Sequence, residues 1–271
     1  MTEGTTARTA AGMGTGGMGA EDGYYVKSTE KTLAVLSSFT PEHPRLSVSA
    51  VAAAADLSRA AARRFLLTLR DLGYLRSDGT VFELAPRSLD IGSAFLATLT
   101  LPSVAEPHLK ALAAELGETT SLCVLDGMHV VYVARFTAPR LVHVSVNVGT
   151  RFPAWATSMG RVLIAALEPE EREAHLAAVE LQSFTPHSVS SLEQLRAEVE
   201  LAGQRGWARV TDELEGGLRG VAVPVSRAGT VVAAANVSLQ MHRDPDEALE
   251  ETVIPQLRSA AERITADLNF R

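Results

Sequence analysis

The stretch from Ser47 to Leu84, SVSAVAAAADLSRAAARRFLLTLRDLGYLRSDGTVFEL, leaves few folds open. Apolar Val48, Val51, Ala52 and Ala55 recur at helical spacing behind Ser47, whose hydroxyl suits an N-cap. Asp56-Leu57-Ser58 breaks the pattern and offers Ser58 as the next N-cap. A second helix then carries Ala62, Phe65, Leu66, Leu69 and Leu72 on one stripe until Gly73 stops it. Tyr74-Leu75-Arg76 and Val81-Phe82-Glu83-Leu84 flank Ser77-Asp78-Gly79-Thr80, and Asp-Gly between two β-prone runs marks a hairpin. Helix, short turn, helix and hairpin together describe a winged helix-turn-helix. Upstream, Ser28 to Phe39 supplies a further helix, with Ser28 in a capping pattern and Leu33, Leu36 and Phe39 facing inward.

This arrangement is suited to DNA. A recognition helix presents its N-terminal residues to base edges in the major groove, and its N-terminus suits a phosphate. Ser58, Arg59, Arg63 and Arg64 stand there, and an arginine fork matches either guanine O6/N7 or a phosphate. Arg76 on the hairpin would follow the flanking backbone or the minor groove. A three-helix packing unit with a solvated arginine face would show the same arginines, and it is the hairpin directly after the helix that favours DNA.

Charge is distributed unevenly. The 271-residue chain carries a formal net charge of −7. Between Tyr24 and Asp90, however, nine basic residues face seven acidic ones, whereas from Leu101 to Arg271 fifteen face twenty-two. DNA affinity must therefore come from a local face, and so small an excess points to a dimer adding two weak footprints. Cys123 is the only cysteine, which excludes a disulfide framework and fits a reducing cytoplasm. No apolar run has the length of a membrane span, and the N-terminus lacks a signal-peptide core. Residues Met1 to Gly23 are rich in Gly, Thr and Ala and read as a disordered tail. Their G-x-G-x-x-G at Gly14–Gly19 lacks the strand before and helix after that a nucleotide site needs.

Beyond the hairpin, Pro86 opens a helix to about Leu99 that is unusually apolar for a linker (Leu89, Ile91, Phe95, Leu96) and favours dimerisation. Leu101-Pro102 is expected to break it before a helix from Ser103 to Leu116. Strands are expected at Thr119–Leu125, Val130–Arg135 and Leu141–Val148, with a loop at Gly149–Pro153. A helix over Ala156–Leu167 begins at Thr157 and Ser158, and helices over Pro169–Val179 and Ser191–Arg205 follow. An irregular Thr211–Gly220 leads to strands at Val221–Val225 and Val231–Ser238 and a closing helix at Pro245–Leu268. Strands interrupted by helices around an antiparallel sheet make an α+β sensor fold.

The stretches LSRAAARRFLLTLRDLGYL, GTRFPAWATSMGRVLIAAL and DELEGGLRGVAVPV…GTVVAAANVSL, within a match from about Tyr24 to Asn269, resemble the IclR family of bacterial transcriptional regulators. The wording around SMGRVLIAAL is most similar to the branch that controls β-ketoadipate and protocatechuate or 4-hydroxybenzoate catabolism. After the 1–23 tail, the resemblance implies a winged helix-turn-helix domain at 24–85, a linker helix at 86–100 and a GAF-like effector-binding domain at 101–271. It also implies a homodimer or dimer of dimers on palindromic operator DNA, a small organic acid as effector, aromatic or dicarboxylic, and no cofactor. It places the effector against Ser158 and Met159 and against Asn236 and Ser238. Where the family often has a cysteine this chain has Gly220, and near a common aspartate it has Val210 followed by Asp212. Ser158, Asn236 and Ser238 suit a carboxylate or phenol, and the N-terminus of the 156–167 helix favours an anion. Arg135 and Arg151 are the candidate carboxylate partners, against the alternative that each is a surface or strand-edge arginine.

An enzyme is the rival class. The seven histidines are scattered, with His129 and His143 fourteen apart, and no G-x-S-x-G or Walker pattern occurs. Cys123 in SLCVL reads as a small buried hydrophobe, and Asp212, Glu213 and Glu215 beside Gly216-Gly217 read first as a loop. The expectation is therefore a regulator and not an enzyme; a ligand-free architectural DNA-binding protein is the other alternative.

Overall fold

The computed structural model describes residues 24–98, 100–137, 146–240 and 249–270. The 1–23 tail, residues 141–145 of the alternating stretch and residues 245–248 of the last expected helix lie outside them. The chain divides between Ser93 and Ala94 into two units. Among the described residues no helix is long and apolar enough to cross a membrane.

In the first unit, helices α1 (Lys27–Ser37), α2 (Val48–Ala54) and α3 (Arg59–Asp71) pack with a small antiparallel sheet. The sheet orders β1 (Arg45–Ser47), β3 (Val81–Leu84), β2 (Leu75–Ser77). Ser47 and Ser58 cap α2 and α3, their hydroxyls accepting from the backbone N–H of Ala50 and Ala61 at 3.3 and 3.2 Å. The end of α3 is a Schellman motif. Gly73 takes φ +82°, its N–H donates to Arg70 O, and the next N–H, of Tyr74, donates to Leu69 O. Val35, Phe39, Val51, Ala62, Leu66, Leu69, Leu75 and Phe82 form the core.

The second unit is a three-layer sandwich. Its six-stranded antiparallel sheet runs β6 (Arg151–Pro153), β5 (His129–Phe136), β4 (Thr119–Asp126), β9 (Thr230–Gln240), β8 (Leu218–Arg227), β7 (Ala208–Thr211). One face is covered by α5 (Thr100–Leu116) and the closing helix α9 (Ile254–Phe270), entered through a π-turn at Leu249–Val253. The other is covered by α6 (Ser158–Ala165), α7 (Pro169–Ala177) and α8 (Leu192–Arg205). A sheet covered on both sides needs strands apolar on both faces, and Ala233, Ala234, Ala235 and Val237 of β9 are all fully buried.

Several sequence expectations shift. Helix α1 starts at Lys27 behind Val26 with no side-chain cap, so Ser28 is not its cap, and Leu33 is 56% exposed while Val35 is fully buried. Leu72 is exposed, because α3 ends there and Gly73 redirects the chain. The helix expected to open at Pro86 begins as a 3₁₀ turn (Pro86–Ser88) and continues as α4 (Leu89–Thr98). Leu101-Pro102 does not delay α5: a proline in the first turn forfeits an N–H that has no intrahelical partner anyway. Arg151–Pro153, expected as loop, pairs with Val131–His129, and β8 begins at Leu218, three residues early. Val146 to Val148, the described end of the alternating stretch, is not strand.

Candidate functional sites

The helix-turn-helix face is open. Ser58, Arg59, Arg63 and Arg64 are all exposed along the N-terminal half of α3, and the three arginines pair with no carboxylate among the described residues. The hairpin differs. Arg76 and Glu83 are directly opposed across β2 and β3, with Nε 2.8 Å from the carboxylate. Arg45 of β1 reaches Asp78 at the tip and stands 3.8 Å from Glu83. The backbone N–H groups of Val81 and Thr80, with Arg45, hold the Asp78 carboxyl below its ordinary value. The hairpin is therefore charge-balanced, and Arg76 does not stand free beside the α3 arginines.

In the second unit the strand register gathers polar groups on the sheet face toward α6. Ser121 of β4 is directly opposed by Arg135 of β5 on one side and by Asn236 of β9 on the other. The next row sets Thr119 opposite Ser238 and Ser238 opposite Gly220. Directly opposed residues share a sheet face. From above, the start of α6 closes on this row: a Cβ on Gly220 would lie 2.9 Å from Ser158 Oγ and 3.5 Å from Asn236 Nδ2. Glycine at this point lets Ser158 lie against the β8 backbone. Ser121, Ser158 and Asn236 are all buried. Thr157 caps α6, its hydroxyl accepting from Gly160 N–H at 3.0 Å, and aims the positive end of the helix at the cluster.

Arg135 is the charged member. It is half-buried, burial pushes its guanidinium below the ordinary value, and the neighbouring Tyr132 and Cys123 only partly offset this. It forms no ion pair among the described residues. Cys123 is itself fully buried, and burial pushes its thiol well up, which keeps it protonated and unreactive.

Three expected residues are placed elsewhere or otherwise. Arg151 is exposed on β6 and ion-paired to Asp126 at 2.5 Å, so it is the surface arginine of its two readings. Asp212, at φ +59°, turns its carboxylate onto the backbone N–H of Gly217 and closes a loop. Met159 is 2% exposed within the apolar core shared by α6 and the sheet. Two residues went unmarked in the sequence reading. One is Ser121, a serine among strand-forming threonines. The other is Arg161, 1% exposed on α6, whose Nη2 lies 2.5 Å from Glu213 and whose Nε donates to Trp155 O. The period of α6 places Arg161 on an otherwise apolar helix, which was the available signal.

Two family profiles match the chain. The IclR helix-turn-helix domain matches residues 28–79, and the bacterial transcriptional regulator IclR C-terminal domain matches residues 93–266. The Pca regulon regulatory protein of Pseudomonas putida is 36% identical over 239 residues, covering 88% of this chain and 82% of that protein. The p-hydroxybenzoate hydroxylase transcriptional activator of Acinetobacter baylyi is 36% identical over 246 residues, covering 89% and 91%. Among solved structures, an IclR homolog from Microbacterium hydrocarbonoxydans complexed with 4-hydroxybenzoate superposes with a TM-score of 0.76 at 27% identity, covering 89% of this chain and 98% of that one.

Proposed function

Because the chain belongs to the IclR family of bacterial transcriptional regulators, we propose that it binds operator DNA through the first two turns of α3 and is controlled by a small aromatic acid held on the sheet face below α6. The observation that carries the effector half is Arg135. A half-buried guanidinium with no ion pair among the described residues is electrostatically costly, and a ligand carboxylate is the group that completes it. The class of acid is supported by the similarity to the p-hydroxybenzoate hydroxylase transcriptional activator and the Pca regulon regulatory protein and by the 4-hydroxybenzoate complex of the Microbacterium homolog. Ser158, Asn236 and Ser238 line the rest of the cluster and accept or donate to ring substituents.

The protein acts as a homodimer or dimer of dimers on a palindromic site. The small basic excess of the first unit supports this, as do Leu89 and Ile91 of α4, 72% and 61% exposed. Effector binding changes operator affinity only if the acid binds the two arrangements of the oligomer unequally.

A thermal-shift screen of benzoates tests the effector. An acid at a hundred times its Kd adds about 2.7 kcal/mol to the folded state, and repeating the titration with operator present shows whether it releases or strengthens DNA binding. Arg135→Gln is expected to weaken a stabilising acid by about a hundredfold, roughly 2–3 kcal/mol, without changing DNA binding. No stabilisation by any acid, with operator binding intact, would return the ligand-free architectural reading.

The DNA half has its own test. Replacing Arg63 and Arg64 together by alanine is expected to weaken operator binding by at least about thirtyfold in a gel-shift titration, since each bidentate contact is worth about 1–3 kcal/mol. Acid binding by the same variant should be unaltered. Retained operator binding would take α3 out of the interface.

A further inference from the structure

Resting on the reading above that the effector is an acid, we propose that Ser121 is a second donor to its carboxylate, side by side with Arg135. Ser121 is fully buried, yet its Oγ has no hydrogen-bond partner among the described residues. Its neighbour in β4 makes the contrast. Thr120, equally buried and pointing to the opposite face, donates to Leu109 O at 2.9 Å, as a structural hydroxyl does. A buried hydroxyl left unpaired works against folding, and one retained in the middle of a polar row is explained by a partner that arrives with the ligand.

The register says which end of the ligand that is. Ser121 and Arg135 are directly opposed on adjacent strands, which lie about 4.8 Å apart. A guanidinium and a hydroxyl at that spacing can each donate to one oxygen of a single carboxylate. Asn236, Gly220 and Ser158 lie one and two strands further along, where the body of the ring and its substituents would extend. Ser121 thus reads the feature common to all the acids, and the β8–β9–α6 side reads what distinguishes them.

The experiment is isothermal titration of the full-length protein, wild type and Ser121→Ala, with benzoate, 4-hydroxybenzoate and 3,4-dihydroxybenzoate, alongside thermal melts without ligand. The expected result is a loss of about tenfold or more for every acid the wild type binds, by a similar factor for each, because the missing group contacts the shared carboxylate. The unliganded variant should melt no lower than the wild type, since the change removes an unsatisfied group and leaves no broken bond. Unchanged affinities would overturn the assignment. So would a loss confined to the ring-hydroxylated acids, which would move Ser121 to the hydroxyl, and so would a lower melting temperature, which would make Ser121 structural. If the wild type bound none of the three, the premise would fall and the assignment with it; binding by the wild type with an unaffected variant would overturn the assignment alone.

Discussion

Glu213→Ala is expected to destabilise the second unit by about 3–5 kcal/mol, read as a fall in the denaturant midpoint at constant slope. The reason is what remains after the change. Arg161 is 1% exposed, and in the wild type it lies 2.5 Å from Glu213 and 3.8 Å from the half-exposed Glu198. Without Glu213 a buried guanidinium keeps, among the described residues, only the more distant carboxylate and the Trp155 carbonyl. Glu213 also accepts the backbone N–H of Val189 at 3.4 Å, while the hydroxyls of Ser188 and Thr185 donate to the backbone carbonyls of Glu213 and Asp212. One carboxylate therefore ties α6 to the 185–189 and 212–217 loops. Replacing both partners, Arg161→Met with Glu213→Leu, should recover most but not all of the loss. The double change removes the stranded charge and leaves the Val189 N–H and the Trp155 carbonyl without the partners they had. A double variant no better than Glu213→Ala would show that the loop bonds, and not the ion pair, carry the effect.

Gly160→Ala is expected to be comparably severe, at about 3 kcal/mol or more, and it acts on the proposed effector cluster as well. A Cβ at Gly160 would fall 1.9 Å from Ala154 O and 2.4 Å from its carbonyl carbon. Both are backbone atoms of the short turn before α6, so no side chain can swing aside, and the helix itself must lift. Ser158 rides on that helix two residues earlier, against Gly220. The variant should therefore melt well below the wild type and, where it remains folded, bind the stabilising acid more weakly. A wild-type melt would mean that the turn moves freely, and the tight seating of α6 would no longer explain the SMG wording.

How much was readable in advance depended on how local the cause was. The capped α2 and α3, the Gly73 stop and the Asp78-Gly79 turn are all decided within a few residues, and each stands where the pattern put it. Strand β1 was missed because three residues, Arg45–Ser47, become a strand only by pairing with β3. Arg151–Pro153 went the same way, a loop by composition and a strand by pairing with β5. Among the candidate site residues, Asn236 came from the family resemblance. Ser121 did not, since TTSL is ordinary strand wording and only the register opposes it to Arg135 and Asn236. Arg135 and Arg151 were indistinguishable by sequence. Their difference lies in a partner, Asp126, which is twenty-five residues from Arg151 along the chain and beside it across the β4–β5 end.

The balanced hairpin bears on how such a protein behaves in a crowded genome. Grip on arbitrary sequence grows with the number of phosphates neutralised, each steepening the logarithmic salt dependence by about 0.9. With Arg45 and Arg76 already engaged by Asp78 and Glu83, that grip falls, in the proposed binding mode, to the few arginines at the front of α3. A head built this way lets go of wrong sites quickly. In the proposed dimer, residence on the right one then depends on two heads landing together, and the proposed effector has only to disturb their partnership, not to overpower an adhesive surface.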